Sequence, residues 1–228
     1  MNAGLRRCTS GNVFSRLFLE MSLVKAEWIL YLLLFLSVLS IGLILERAWF
    51  YRRATKGLEL FRDRLRRAVS KGEWSEAVRM TEERADRTRT SPPDLDSGVA
   101  LTLLQFRSES KGSTEVLQEL AQDAILRTKV AWEQNLAMLA TIGSNAPFIG
   151  LFGTVIGIIK AFHDLSTQAG GTAPQVTAGI SEALVSTAVG IFVAVPAVVA
   201  FNLFQRRIKA AVSEADALKS FLIGKIAK

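Results

Sequence analysis

The chain has few of the residues from which catalytic and metal sites are usually built. Cys8 is the only cysteine, so no disulfide can form within one chain. His163 is the only histidine, which limits any histidine-based metal site or catalytic triad to that one residue. The sequence also lacks a phosphate-binding loop, a zinc-ligand pair, a GxSxG elbow and a dinucleotide-binding fingerprint. These absences argue against an enzyme and predict neither a metal nor a cofactor.

Charged residues are absent from long stretches of a chain that is otherwise rich in them. Half of the 228 residues are hydrophobic, and the mean hydropathy is +0.27. Three apolar segments, 26–45, 139–162 and 180–204, reach the length of about 20 residues that a helix needs to cross a bilayer. No stretch alternates as a strand would. The sequence therefore predicts an all-α integral membrane protein with three transmembrane helices.

The first apolar segment could also be taken for a signal peptide, because Arg6 and Arg7 precede it. However, it starts late, has no small-residue cleavage site and ends in Glu46–Arg47. We expect it to stay as a membrane anchor.

The distribution of basic residues predicts the topology. Lys and Arg number 17 in 46–138, six in 205–228 and four in 1–25, but 163–179 contains none. By the positive-inside rule, 46–138 and 205–228 are cytoplasmic, and the N-terminus and the 163–179 loop face outward. The net charge of +7 is explained by the residues that flank the spans, so we expect no nucleic-acid partner.

The segments outside the spans read as helical. Residues 1–25 fit an amphipathic helix at the outer membrane surface, and an extended first span fits them as well. The segment 46–138 reads as a cytoplasmic helical domain interrupted at Ser91-Pro92-Pro93-Asp94. From Leu117 to Met138, small and apolar residues recur at spacings of four and three. Because no Pro or Gly follows, this pattern predicts one helix that continues into 139–162 without a break.

The second and third spans each carry a stripe of small residues on one helix face. Such stripes let helix backbones approach closely in a membrane, and they offer a surface to another helix. We predict that helix packing rests on Gly143, Pro147, Gly150, Gly153, Gly157, Gly190, Ala194 and Pro196.

Four polar residues of the spans are candidates for a polar pathway: Thr154, Thr187, Glu182 and Ser186. The two threonines lie in the stripes, about 10–12 Å below the outer surface by helical rise. Each hydroxyl could instead bond the carbonyl four residues earlier in its own helix. Glu182 could be an intramembrane functional carboxylate, or it could offset the dipole of the third span. His163 is better explained as an interfacial histidine than as a proton relay.

At these residues the sequence resembles a known family. The segment from Ala146 to Gly157, APFIGLFGTVIG, looks like the second-span signature of the TolQ/ExbB/MotA proton-channel family. The segment from Gly179 to Ala197 resembles the third-span signature, and Glu46–Arg47 also fits. The topology is closer to the TolQ/ExbB branch, because the flagellar stators have four spans.

The resemblance implies an inner-membrane pentamer that encloses the helices of a smaller ExbD/TolR-like partner. In this scheme, Thr154, Thr187 and Glu182 correspond to polar pore residues, and Ser186, one turn beyond Glu182, extends the polar track inward. Proton flow would drive mechanical work on envelope components through a TonB/TolA-like or motility effector. The essential carboxylate would belong to the partner, because this chain offers none at the depth of the threonines. Two alternatives are a non-conducting scaffold and a signalling module with a membrane anchor.

Overall fold

The computed structural model describes residues 27–89, 93–107, 113–167 and 173–227. Within these ranges the chain forms seven helices and no strands, so the all-α prediction is confirmed. The helices are α1 (Glu27–Thr55), α2 (Leu58–Lys71), α3 (Trp74–Arg89), α4 (Leu95–Phe106), α5 (Thr114–Glu133), α6 (Leu136–Thr167) and α7 (Ala173–Ile226). The helix predicted in 1–25 lies outside the described residues.

Three of these helices are long and apolar enough to cross a membrane, as the sequence predicts. They are α1, α6 and α7, and each extends beyond the predicted span. The longest, α7, has 54 residues and combines the third span with most of the 205–228 segment in one helix.

The described residues belong to two compact units. The first, here called the transmembrane unit, consists of 27–41 and 140–198. The second, here called the bundle unit, consists of the described residues of 42–139 and 199–227. Helices α1, α6 and α7 each contribute residues to both units.

In the bundle unit, glycines and a capping aspartate set where helices begin and end. Gly57 and Gly72 flank α2 with φ angles of 71° and 80°, which residues with a side chain rarely adopt. The carboxylate of Asp94 caps α4 by accepting a hydrogen bond of 2.7 Å from the backbone N–H of Ser97. The predicted interruption around Pro92-Pro93 therefore falls between α3 and α4, as expected.

Two buried carboxylates hold the bundle unit together. Asp96 is fully buried and forms an ion pair of 2.8 Å with Arg62, while Asp94 pairs with Arg84 at 2.7 Å. Burial raises the pKa of Asp96 above its ordinary value, and Arg62 opposes this rise. These pairs connect α4 to α2 and α3.

The prediction of one unbroken helix from Leu117 into the second span is wrong. Helix α5 ends at Glu133, and α6 begins at Leu136. Gln134 leaves the helical conformation with a ψ of 140°, and Asn135 has a φ of 63°. Asn adopts this left-handed conformation more readily than most residues, so a break is possible without Pro or Gly. The Tyr51 hydroxyl satisfies a carbonyl of the last α5 turn by donating to the oxygen of Trp132 at 2.6 Å.

Candidate functional site

The two small-residue stripes pack against each other within one chain. A Cβ added at Gly143 would lie 2.6 Å from a methyl carbon of Val198, and one added at Gly157 would lie 2.6 Å from the Cβ of Ala183. Residue numbers rise along α6 while those of the contacted residues on α7 fall, so the two helices are antiparallel here. We call this contact the α6–α7 seam.

The seam brings backbone against backbone where Gly150 meets Gly190. A Cβ at Gly150 would lie 2.6 Å from the carbonyl oxygen of Ser186 and 3.2 Å from the Cα of Gly190. A Cβ at Gly190 would lie 2.6 Å from the carbonyl oxygen of Ala146. In both cases the added Cβ would clash with backbone atoms, so only glycine fits at this separation of the two helices.

The predicted residues Thr154 and Thr187 meet in this seam. Their hydroxyl oxygens are 2.5 Å apart, and Thr154 is also 3.2 Å from the carbonyl oxygen of Ala183 on α7. The alternative bond to the carbonyl four residues earlier, that of Gly150, has a distance of 3.3 Å. A hydroxyl has one proton to donate, so Thr154 cannot serve all three partners as a donor. Thr154 therefore has bonding options both within its helix and across the seam.

Thr187 lies at an open edge of the seam. Thr154 is 7% exposed, whereas Thr187 is half-buried. Leu184 and Ile191, three residues before Thr187 and four after it, share its side of α7 and are 56% and 50% exposed. The two stripes cover each other. A further helix can therefore reach the threonines at this edge.

The structure places Ser186 and Glu182 on another side of α7. Ser186 is 3% exposed, and a Cβ added at Gly153 of α6 would lie 2.8 Å from the Cβ of Ser186. The same added Cβ would lie 3.1 Å from a methyl carbon of Ile29 in α1. Glu182 is exposed and lies five residues before Thr187, which is about 140° around the helix axis. The four candidate residues thus form a threonine pair and a separate Glu182–Ser186 side.

Pro147 and Pro196 lie inside their helices. Neither has an amide hydrogen, so the carbonyls of Gly143 and Phe192, four residues earlier, receive no helical hydrogen bond from them. Ala194 is 5% exposed and lies in the seam, its carbonyl oxygen 3.6 Å from a Cβ at Gly143.

Sequence reasoning missed two features of the transmembrane unit. One is the contact of α1 with the seam through Ile29, which the uniformly apolar first span did not signal. The other is an exposed asparagine, Asn145, whose side-chain nitrogen donates to the carbonyl oxygen of Thr141 at 2.9 Å. Its signal was visible as a polar residue inside a predicted span. The described residues contain no group of three His, Cys, Asp or Glu positioned to hold a metal ion.

The fold and the seam define a class: a multi-pass membrane protein whose spans pack through small residues around buried hydroxyls. The profile of the MotA/TolQ/ExbB proton channel family matches residues 94–217. The chain belongs to this family, whose members are channel and transport proteins of the inner membrane.

Individual relatives point to the TolQ and ExbB branch. The Tol-Pal system protein TolQ of Pseudomonas aeruginosa is 36% identical over 75% of this chain and 74% of its own length. The TolQ protein of Haemophilus influenzae is 30% identical over 86% of both chains. The biopolymer transport protein ExbB of Neisseria meningitidis serogroup B is 31% identical over 82% of this chain and 85% of its own. These matches agree with the branch that the sequence predicts.

Proposed function

We propose that the chain is the channel subunit of a proton-driven motor that converts the proton gradient into mechanical work on the cell envelope. The single observation that carries this proposal is the Thr154–Thr187 pair, in which a buried and a half-buried hydroxyl meet in a glycine-lined seam of the transmembrane unit. A hydroxyl pair can accept a proton on one side and donate one on the other. About 2.3 kcal/mol is available for each charge that crosses 100 mV.

The proton carrier in this proposal is a carboxylate on a separate protein. Glu182 lies five residues outward of Thr187, about 7 Å by helical rise, and on a different side of α7. Among the described residues of 140–198, no Asp or Glu lies at the level of the threonines. We therefore assign the titratable group to an ExbD/TolR-like single-span partner, which several copies of this chain, five by family resemblance, enclose.

The partner helix is proposed to lie on the side of α7 formed by Leu184, Thr187 and Ile191. These residues leave Thr187 open, whereas Thr154 is covered by the seam. A partner carboxyl at this place can donate a hydrogen bond to the oxygen of Thr187, while Thr187 donates its own hydrogen to Thr154. The threonine pair then positions the carboxyl, and the proton enters and leaves on the carboxyl itself. Glu182 acts as an outer access point for protons, with Ser186 one turn further in.

The proposed function includes an orientation in the membrane and a process that the motor drives. We propose, from the basic residues of 46–138 and 205–228 and the positive-inside rule, that those segments lie in the cytoplasm and the N-terminus outside. The names of the relatives, a Tol-Pal protein and a biopolymer transporter, favour envelope maintenance or transport across the outer membrane through a TonB/TolA-like effector. A non-conducting scaffold that stabilises a partner is the second candidate, since the seam also explains simple helix packing.

Cross-linking tests the enclosed partner. A cysteine is introduced at Thr187 in a background where Cys8 is replaced by serine, and single cysteines are placed along the partner helix. We expect disulfides between Thr187→Cys and the partner positions next to its membrane carboxylate. Ala183→Cys, buried at 4% exposure in the seam, is the matched control and should not react. Equal cross-linking at both positions, or none at Thr187→Cys, would contradict the proposal.

A further inference from the structure

Four aromatic side chains close over the last turn of α5 in the bundle unit. They are Phe50 and Tyr51 of α1, Trp132 of α5 and Phe204 of α7, and we call them the aromatic joint. The ring centroid of Tyr51 lies 5.5 Å from that of Trp132 and 5.2 Å from that of Phe204. Phe50 meets the rings of Tyr51 and Trp132 edge-on, a favourable geometry for aromatic pairs. Since Trp132 is 0% exposed and Tyr51 is 1% exposed, three helices are packed together at one buried point.

Two hydrogen bonds hold Trp132 within this joint. Its carbonyl oxygen accepts from the hydroxyl of Tyr51 at 2.6 Å, and its indole Nε1 donates to the carbonyl oxygen of Pro93 at 2.8 Å. Pro93 lies just before α4, so the two bonds tie the end of α5 to α1 and to the start of α4. Water can satisfy a carbonyl in the last turn of a helix. Here a buried tyrosine takes that place, which fixes the position of the turn as well as its bonding.

The chain leaves the helix two residues after Trp132. Gln134 has a ψ of 140° and Asn135 a φ of 63°. The backbone N–H of Leu139 lies 3.5 Å from the carbonyl oxygen of Asn135, which is long for a hydrogen bond. Beyond the break, α6 packs through the apolar side chains of Leu136 and Leu139, which are 1% and 0% exposed. Because apolar packing has no preferred direction, the start of α6 can turn more easily than the end of α5.

From these contacts we infer that Gln134–Asn135 is a hinge and that the aromatic joint is its fixed side. Hinges are a few residues, often at the end of an element, that absorb changes of φ and ψ. A change in the direction of α6 then takes place at these two residues. The last turn of α5 stays where it is, and so do the helices that Trp132 and Tyr51 tie to it.

The hinge gives the proposed motor a means to move α6, the helix that carries Thr154, without repacking the bundle unit. This consequence rests on the proposed function. The hinge itself is a property of the folded chain, and the measurements that test it do not depend on proton flux. The hinge and the proposed function can therefore fail separately.

Hydrogen exchange of the full chain in membranes tests the fixed side of the hinge. Tyr51→Phe removes only the hydroxyl, and Tyr31→Phe, at a tyrosine that is 68% exposed in the first span, is the matched control. Loss of one hydrogen bond should let the amides in the last turn of α5 exchange about two- to tenfold faster in Tyr51→Phe. The control should exchange as the wild type does. Unchanged exchange in this turn, or equal acceleration throughout the bundle unit, would show that Tyr51 does not fix it.

Distances between spin labels test the hinge. In a Cys8→Ser background, a label at Arg127 on α5 is paired with one at Ser144 on α6, across the break, or with one at Lys225 on α7, within the bundle unit. Labelled copies are diluted with unlabelled ones, so that only distances within one chain are measured. We expect a broader distribution of distances across the break than within the bundle unit, and a further broadening across the break alone in Tyr51→Phe.

A second variant tests the hinge and leaves the joint intact. Asn135→Gly keeps the left-handed backbone and adds conformational freedom at this residue. It should broaden the distribution of distances across the break and leave the distribution within the bundle unit as it is. Equal widths for the two label pairs in the wild type, or no broadening in either variant, would overturn the inference.

Discussion

At the scale of single residues, the two hydroxyls of the seam differ in their exposure to other helices. Thr154 is buried and bonded across the seam, whereas Thr187 is half-buried at its edge. We therefore propose that Thr154 holds the geometry of the pair and that Thr187 meets the partner. Their depth and their place in the stripes could be read from the sequence, because helical rise and periodicity determine both. Their burial could not, because it depends on which side of each helix the neighbouring helices cover.

We predict that Thr154→Val and Thr187→Val leave assembly intact and reduce energy-dependent activity. Valine keeps the shape of the side chain and removes the hydroxyl, so the seam still closes while the proton pathway is interrupted. Because the Thr154 hydroxyl also bonds Ala183, its variant should lower the melting temperature slightly, by the equivalent of about 1 kcal/mol. Activity and thermal unfolding of the purified assembly check both points. Normal activity of the double variant would favour a purely structural role.

Glu182 is expected to matter through its charge. If it only offsets the dipole of α7, replacing it with Gln costs about 0.3–1 kcal/mol and activity survives. We predict instead that Glu182→Gln abolishes energy-dependent activity and that Glu182→Asp retains part of it. Its exposed position on the side away from Thr187 fits an outer access point rather than the inner pathway. Equal activity of Glu182→Gln and wild type would contradict this role.

At the scale of helices, the seam depends on glycines that touch backbone. Gly150→Ala would bring a methyl group to 2.6 Å from the Ser186 carbonyl, so we predict a destabilisation of about 1–3 kcal/mol from overpacking. The matched control is Gly42→Ala in α1, where nothing lies within 4 Å of an added Cβ. That variant should be neutral or slightly stabilising, because alanine favours helix more than glycine does. Thermal unfolding in detergent separates the two outcomes.

The break between α5 and α6 is the second testable feature at this scale. With Asn135 in a left-handed conformation, Asn135→Gly should be tolerated, while Asn135→Ala should cost about 1 kcal/mol or more. In an unbroken helix the order of stability is reversed, because alanine in a helix interior is about 1 kcal/mol more favourable than glycine. The melting temperatures of the two variants decide between these structures.

The sequence could predict the helices better than their junctions. The repeat from Leu117 to Met138 does form helix, but the break at Gln134–Asn135 has no Pro or Gly to signal it. It is supported by a contact between residues 81 positions apart, in which Tyr51 bonds the carbonyl of Trp132. Likewise, the spacing of small residues predicts the two stripes. Their packing on each other could not be predicted, because it depends on the antiparallel pairing of α6 and α7.

At the scale of the whole molecule, the distribution of charge predicts the topology. Cysteines at Gln168 or Thr172 should react with a membrane-impermeant label from outside, and cysteines at Ser91 or Lys219 only after the cytoplasm is exposed. The physical reason is the absence of Lys and Arg from 163–179 against 17 in 46–138. Labelling of Ser91→Cys in intact cells would reverse the proposed orientation.

The measurement that tests the central claim most directly is proton flux into vesicles that contain this chain with and without its partner. A pH-sensitive dye inside the vesicles reports flux under an imposed gradient. We predict flux only when both proteins are present, and its loss when the partner's membrane carboxylate is replaced by an amide or when Thr154→Val and Thr187→Val are combined. Full flux through this chain alone would contradict a pathway completed by a partner's carboxylate at the threonine pair.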